Sequence, residues 1–262
     1  MFKKKSSPLA HVLACCFLPM SAMAIDTVTL NYDTFTPNTL VNVSLDGNAF
    51  KNVFAGLGSF TKTAQSGGPI FPSNFDLFCV ELQQVIGVPS TGNVFNIDTN
   101  LSTSLPSTGS GSGLLDAKPN RVTNLQALYF TKFGVSNYNP SVLLSATDKL
   151  AFQVAIWELG NDDFLGTSTS SVALASDAFR LAAPANVLAA AILLLDGVKA
   201  ELNKSGGPGQ MFLYGLSSAT VQDFLIPASP GAIIPEPSVY ALITGFSAMG
   251  VAFLRRRASR SA

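Results

Sequence analysis

Thr27-Val28-Thr29-Leu30-Asn31-Tyr32 alternates polar and apolar side chains, and Leu40-Val41-Asn42-Val43-Ser44-Leu45 does so again before the turn Asp46-Gly47-Asn48. A period of two puts one set of side chains on a buried sheet face. Phe50 to Phe54, Ser59 to Thr63 and Leu77 to Leu82 are further short strand candidates, so residues 26 to about 98 read as β-structure. Residues 100–120 are rich in Ser and Gly and read as an inserted loop or linker. Helical spacing follows. Val122, Leu125, Leu128 and Tyr129 lie on one face of a helix ending near Gly134. Ser145-Ala146-Thr147-Asp148 is an N-cap signature for a helix through Leu159 to Gly160. Val172 to Leu181 and Asn186 to Leu202 are predicted helices separated by Pro184. Met211 to Tyr214 and Val221 to Ile226 return to strand character. The predicted class is α+β: a sandwich or barrel-like β part carrying a helical insertion.

Composition removes most reaction classes. The 262 residues suffice for a sizeable core. Lys+Arg and Asp+Glu are both 16, but the basic residues crowd the ends. Between Ile25 and Ile234 nine basic residues face fifteen acidic ones, a net of −6, so nucleic acid is not an expected partner. The single His is His11, and Cys15 and Cys16 share its N-terminal segment. Once that segment is removed, Cys79 is the one cysteine and there is no histidine. Ser-His-Asp and Cys-His catalysis then lack a base, and His/Cys zinc sites lack ligands. No cofactor is expected, and the chain is not expected to be an enzyme.

The two ends read as targeting signals. Lys3-Lys4-Lys5, the apolar Pro8 to Met20 and the small-x-small site Ala22-Met23-Ala24 make residues 1–24 a secretory signal peptide, with a mature start at Ile25. At the other end, Pro235-Glu236-Pro237 precedes the apolar run Val239 to Leu254 and the cluster Arg255-Arg256-Arg257. Such a run predicts a single transmembrane helix with its arginines on the cytoplasmic side. This tripartite tail resembles the PEP-CTERM sorting signal of Gram-negative bacteria. The resemblance implies an exosortase-type transpeptidase as partner, passage through an inner-membrane-anchored intermediate, and a final place at the cell surface or in the extracellular matrix. The expected divisions are therefore 1–24, a body over 25–230, and a sorting signal over 231–262.

Within the body, Leu77-Phe78-Cys79-Val80-Glu81-Leu82 and Phe152-Gln153-Val154-Ala155-Ile156-Trp157-Glu158 resemble the paired motifs of bacterial thioester domains. In that family an aromatic-Cys-aliphatic motif supplies a thiol, and a Gln-x-Ala-aliphatic-Trp motif supplies a carboxamide. The resemblance implies that Cys79 and Gln153 condense with loss of ammonia, with Phe78, Glu81 and Trp157 around them. Its stable product would be an amide to an amine of a partner, or an ester to a hydroxyl. The same residues also fit a plain core, because free Cys and Trp are commonly buried.

Three functional readings follow. The first is an exported surface protein attaching covalently through the Cys79–Gln153 thioester. The second is a non-covalent β-rich surface module binding exopolysaccharide, with Cys79 purely structural. The third, a hydrolase built on two carboxylates such as Glu81 and Glu158, needs those two to be neighbours.

Overall fold

The alternation over 27–45 becomes one long bent strand rather than two. In the computed structural model, β1 runs Thr27–Leu45. The structure describes residues 25–45, 48–80, 82, 86–87, 89–99, 101, 119–134, 138–143, 145–161, 174, 179–218 and 220–227. Along β1 the buried apolar residues are Val28, Leu30 and Tyr32, and then Val41 and Val43, so the inward apolar set switches from even to odd positions. In the pairing with β2 (Lys51–Ser66), irregularities at Tyr32/Thr34 and Thr36/Thr39 lie between the two sets, while that at Thr29/Leu30 lies within the first. Each extra residue of a bulge turns the following side chains to the other face. Leu40 is consequently turned outwards, 51% exposed, although the sequence makes it as apolar as its neighbours.

The remaining strands are β3 (Asn74–Cys79), β4 (Ser90–Asp98), β5 (Phe179–Ala182), β6 (Leu213–Ser217) and β7 (Phe224–Pro227). The order β2-β3-β7-β6-β4-β1 closes on itself through the β1–β2 pairing, giving a six-stranded antiparallel barrel. Strand β5 extends the sheet beside the far half of β1, from Asn42 to Leu45. Its position corrects the helix expected over Val172 to Leu181. Phe179 and Leu181 are buried while Arg180 and Ala182 are less so, a period of two, and β1 supplies the backbone partners. Tyr32, Phe60, Phe224 and Phe95 form an aromatic cluster, with Tyr32 stacked on Phe60 at 4.7 Å and Phe224 edge-on to Phe60 at 4.9 Å.

Among the described residues three helices form the second layer: α1 (Pro119–Phe133), α2 (Ala146–Asn161) and α3 (Ala185–Leu202). Gly134 ends α1 in the left-handed region at φ +76°, as a C′ glycine does. Ser145 opens α2 as a capping box: its hydroxyl accepts from the Asp148 N–H at 3.0 Å, and the Asp148 carboxylate accepts from the Ser145 N–H at 3.3 Å. From Leu150 to Gly160 every residue of α2 is buried. The reason is its position, with α1 and α3 on one side and strands β1 and β2 on the other. Among the described residues no helix is long and apolar enough to cross a membrane. The expected membrane segment and the 1–24 signal segment lie outside the described residues.

Candidate functional site

Cys79 is the last residue of β3, and two neighbours compete for that strand's edges. Pairing with β2 stops at Gly58 opposite Leu77, whereas pairing with β7 continues through Phe78 opposite Leu225 and Cys79 opposite Phe224. The Val80 N–H donates to the Asp223 carbonyl at 3.1 Å, which keeps β7 on that edge. Successive residues of an antiparallel strand offer their N–H and C=O to alternate edges. Phe78 and Val80 therefore serve β7, and Cys79 faces the edge that β2 has left.

The Gln153 side chain fills that place. Its Nε2 donates to the Cys79 carbonyl at 2.7 Å, and its Oε1 accepts from the Cys79 N–H at 3.2 Å. The carboxamide thus mimics the peptide group of a missing neighbouring strand. Because the backbone N–H can only donate and the carbonyl only accept, the orientation of the amide is fixed by its partners. The Cys79 thiol donates to the same Oε1 at 3.3 Å. Gln153 is fully buried and Cys79 is 3% exposed, so the thiol and the acyl carbon meet in a dry setting.

The surroundings are aromatic on both sides. Phe78 lies tilted against Phe152 at 4.9 Å, and Tyr129 and Phe133 stand edge-on to Phe152 at 5.1 and 5.2 Å. Burial holds the Tyr129 and Tyr32 hydroxyls far above the usual phenol range, and the neighbouring Cys79 adds to the rise in both. Neither tyrosine was singled out in the sequence, where Tyr129 reads only as one position of a helix face.

Trp157, one helical turn beyond Gln153 and so on the same face, is 1% exposed. Among the described residues its indole N–H has no hydrogen-bond partner. The ring forms part of the wall of a cavity of about 710 Å³ that opens between the β1–β2 ladder and this end of α2. Glu158 is buried but five residues from Gln153, on a different helix face. Glu81, the sorting residues Pro235, Glu236, Pro237, Arg255, Arg256 and Arg257, and the cleavage residues Ala22 and Ala24 lie outside the described residues.

The site is thus a thiol and a primary carboxamide, locked together at the open edge of a barrel strand. No protein-family model and no curated protein matches the chain. Among solved structures it is similar to the N-terminal thioester domain of the fibronectin-binding protein SfbI from Streptococcus pyogenes. That likeness has 13% identity and a TM-score of 0.40, over 76% of this chain and 97% of that one. It is also similar to the P1 form of the pilus-presented adhesin Spy0125 (Cpa), at 12% identity and a TM-score of 0.28, over 80% of this chain and 89% of that one. Both scores are low, and the chemistry of the site is read from its own contacts.

Proposed function

We propose that this chain is an exported surface protein whose body forms an internal thioester between Cys79 and Gln153 and uses it to attach covalently to an amine-bearing partner. One observation supports this above all: the thiol and both ends of the carboxamide share a single set of hydrogen bonds in a buried site. In the condensation the Cys79 sulfur attacks the Gln153 acyl carbon and the C–N bond breaks. The thiol proton leaves on the amide nitrogen as ammonia. Negative charge gathers on Oε1 during the attack, where the Cys79 N–H already donates and acts as an oxyanion stabiliser. A thioester is an activated acyl group, and exclusion of water preserves it until an amine arrives. Each molecule then reacts once, which is attachment rather than turnover.

Intact mass of the full chain tests the reading. The thioester form is one ammonia lighter than its sequence requires, and methylamine adds its own mass while freeing the thiol. A mass equal to the unmodified sequence, with Cys79 free on denaturation, would leave the non-covalent polysaccharide-binding module as the better account.

Delivery belongs to the same proposal. The Lys3–Lys5 region with the Ala22-Met23-Ala24 site exports the chain, and the 231–262 tail holds it in the inner membrane until an exosortase-type transpeptidase acts near Pro235-Glu236-Pro237. Deleting Arg255–Arg257 should let the apolar run slip through and release unprocessed protein. Normal retention and processing of that variant would rule the sorting step out.

A further inference from the structure

The cavity beside Trp157 is built for more than an alkyl amine. Its volume, about 710 Å³, falls within the roughly 300–1,000 Å³ typical of small-ligand sites. Its inner wall is formed by Trp157, one turn from Gln153, and by Leu82, three residues past Cys79. Its outer wall is the solvent face of the β1–β2 ladder. There Asn52 and Phe54 of β2 line the space, both exposed and paired across the ladder with the exposed Asn42 and Leu40 of β1, which do not line it. Phe54 is 54% exposed, a large ring left in water beside an apolar neighbour. An exposed ring that also lines a cavity is open to contact by a ligand held there.

The polar lining is equally specific. Asn38, Asn52 and Gln222 bring carboxamides, Asp33 brings a carboxylate, and among the described residues no Lys or Arg lines the space. Aromatic faces with carboxamides at their margins match a pyranose ring. Its C–H face lies flat on an aromatic ring, and its hydroxyls both donate to and accept from Asn side chains. A lysine side chain would use the Asp33 carboxylate and leave the rings of Phe35 and Phe54 idle. A sugar carrying an amino group uses all of it, with the ammonium drawn to Asp33 and the aromatic faces before it loses its proton.

Resting on the thioester reading above, we propose that this cavity is the acceptor site and that the acceptor is a polysaccharide with free hexosamine amino groups. The neutral amine nitrogen attacks the Gln153 acyl carbon and the C–S bond breaks. An amide forms, and the displaced proton ends on the Cys79 sulfur as a thiol.

The test compares acceptors on the full chain by intact mass. Glucosamine oligomers, their fully N-acetylated counterparts and a lysine peptide of similar length are supplied at equal concentration, with methylamine as the size-independent probe. The glucosamine oligomer should form an adduct about tenfold faster than the lysine peptide, and the acetylated oligomer should form none. Asn52→Ala and Phe54→Ala, both at exposed positions, should slow the oligomer about tenfold and leave methylamine labelling unchanged. Equal rates for oligomer and peptide, or variants that slow methylamine as much as the oligomer, would overturn the acceptor assignment alone. Absence of a methylamine adduct on the unsubstituted chain would overturn the thioester reading and this inference with it.

Discussion

The Gln153 carboxamide donates to the Cys79 carbonyl at 2.7 Å and accepts from the Cys79 N–H at 3.2 Å, standing in for a strand that β3 lacks at that point. As two core truncations, Cys79→Ala and Gln153→Ala look equivalent in the sequence, but this relationship makes them unequal. Neither variant can form the thioester, so their stabilities compare directly. Cys79→Ala keeps both backbone bonds to Gln153 and should cost about 1–2 kcal/mol. Gln153→Ala orphans a buried N–H and a buried C=O, at roughly 1–3 kcal/mol each, besides leaving a void. Urea denaturation should place Gln153→Ala lower by about 2 kcal/mol or more. Equal midpoints would mean that the carboxamide does not hold the strand edge.

Alkaline pH should unfold the barrel through its tyrosines. Burial raises the pKa of Tyr32, Tyr129 and Tyr138 in the folded state, Cys79 adding to the rise for the first two. A raised folded-state pKa means that the stabilisation is complete below the unfolded phenol value of about 10 and is lost as pH climbs beyond it. The share of the tyrosinate absorbance that belongs to these three of the five tyrosines should therefore appear only as the far-ultraviolet circular dichroism collapses. Gradual ionisation of these residues with the fold intact would contradict their burial.

Two substitutions separate the ring of Trp157 from its N–H. Among the described residues the indole N–H has no hydrogen-bond partner, so Trp157→Phe removes a buried donor without leaving any of their acceptors stranded. It should change stability by no more than about 1.5 kcal/mol, whereas Trp157→Ala should cost about 3–5 kcal/mol through the cavity it opens. Thermal melts of the two variants distinguish them. A Phe variant as damaged as the Ala variant would show that the N–H is bonded after all.

Ser145 closes the first turn of the helix that carries Gln153, its hydroxyl accepting from the Asp148 N–H at 3.0 Å. Ser145→Ala should lower stability by about 1 kcal/mol, within the usual range for a lost N-cap. Because the cap lies two turns before Gln153, the extent of thioester formation in the folded protein should not change. Intact mass after purification checks that second half.

Much of the framework is legible along the chain. The alternation of 27–32, the capping residues Ser145 and Asp148 and the Gly134 stop each act through local dihedral and side-chain preferences, and each of these elements forms where its pattern points. Pro184, expected between two helices, stands between a strand and the helix it opens. Absence of histidine from the body and the lone Cys79 are equally plain from composition. Phe179–Leu181 misleads because a short apolar stretch fits either period, and pairing with β1 decides in favour of a strand.

The site depended on distances that no local pattern encodes. Cys79 and Gln153 are 74 residues apart, and their contact exists because β2 leaves β3 after Leu77 while α2 is held across the barrel. The even-to-odd switch along β1 likewise comes with bulges in its pairing with β2, and it leaves Leu40 exposed opposite Phe54, which lines the cavity. Periodicity states which side chains share a face. Closure of the barrel decides which face is inside, because backbone groups that no strand satisfies must find a side chain instead.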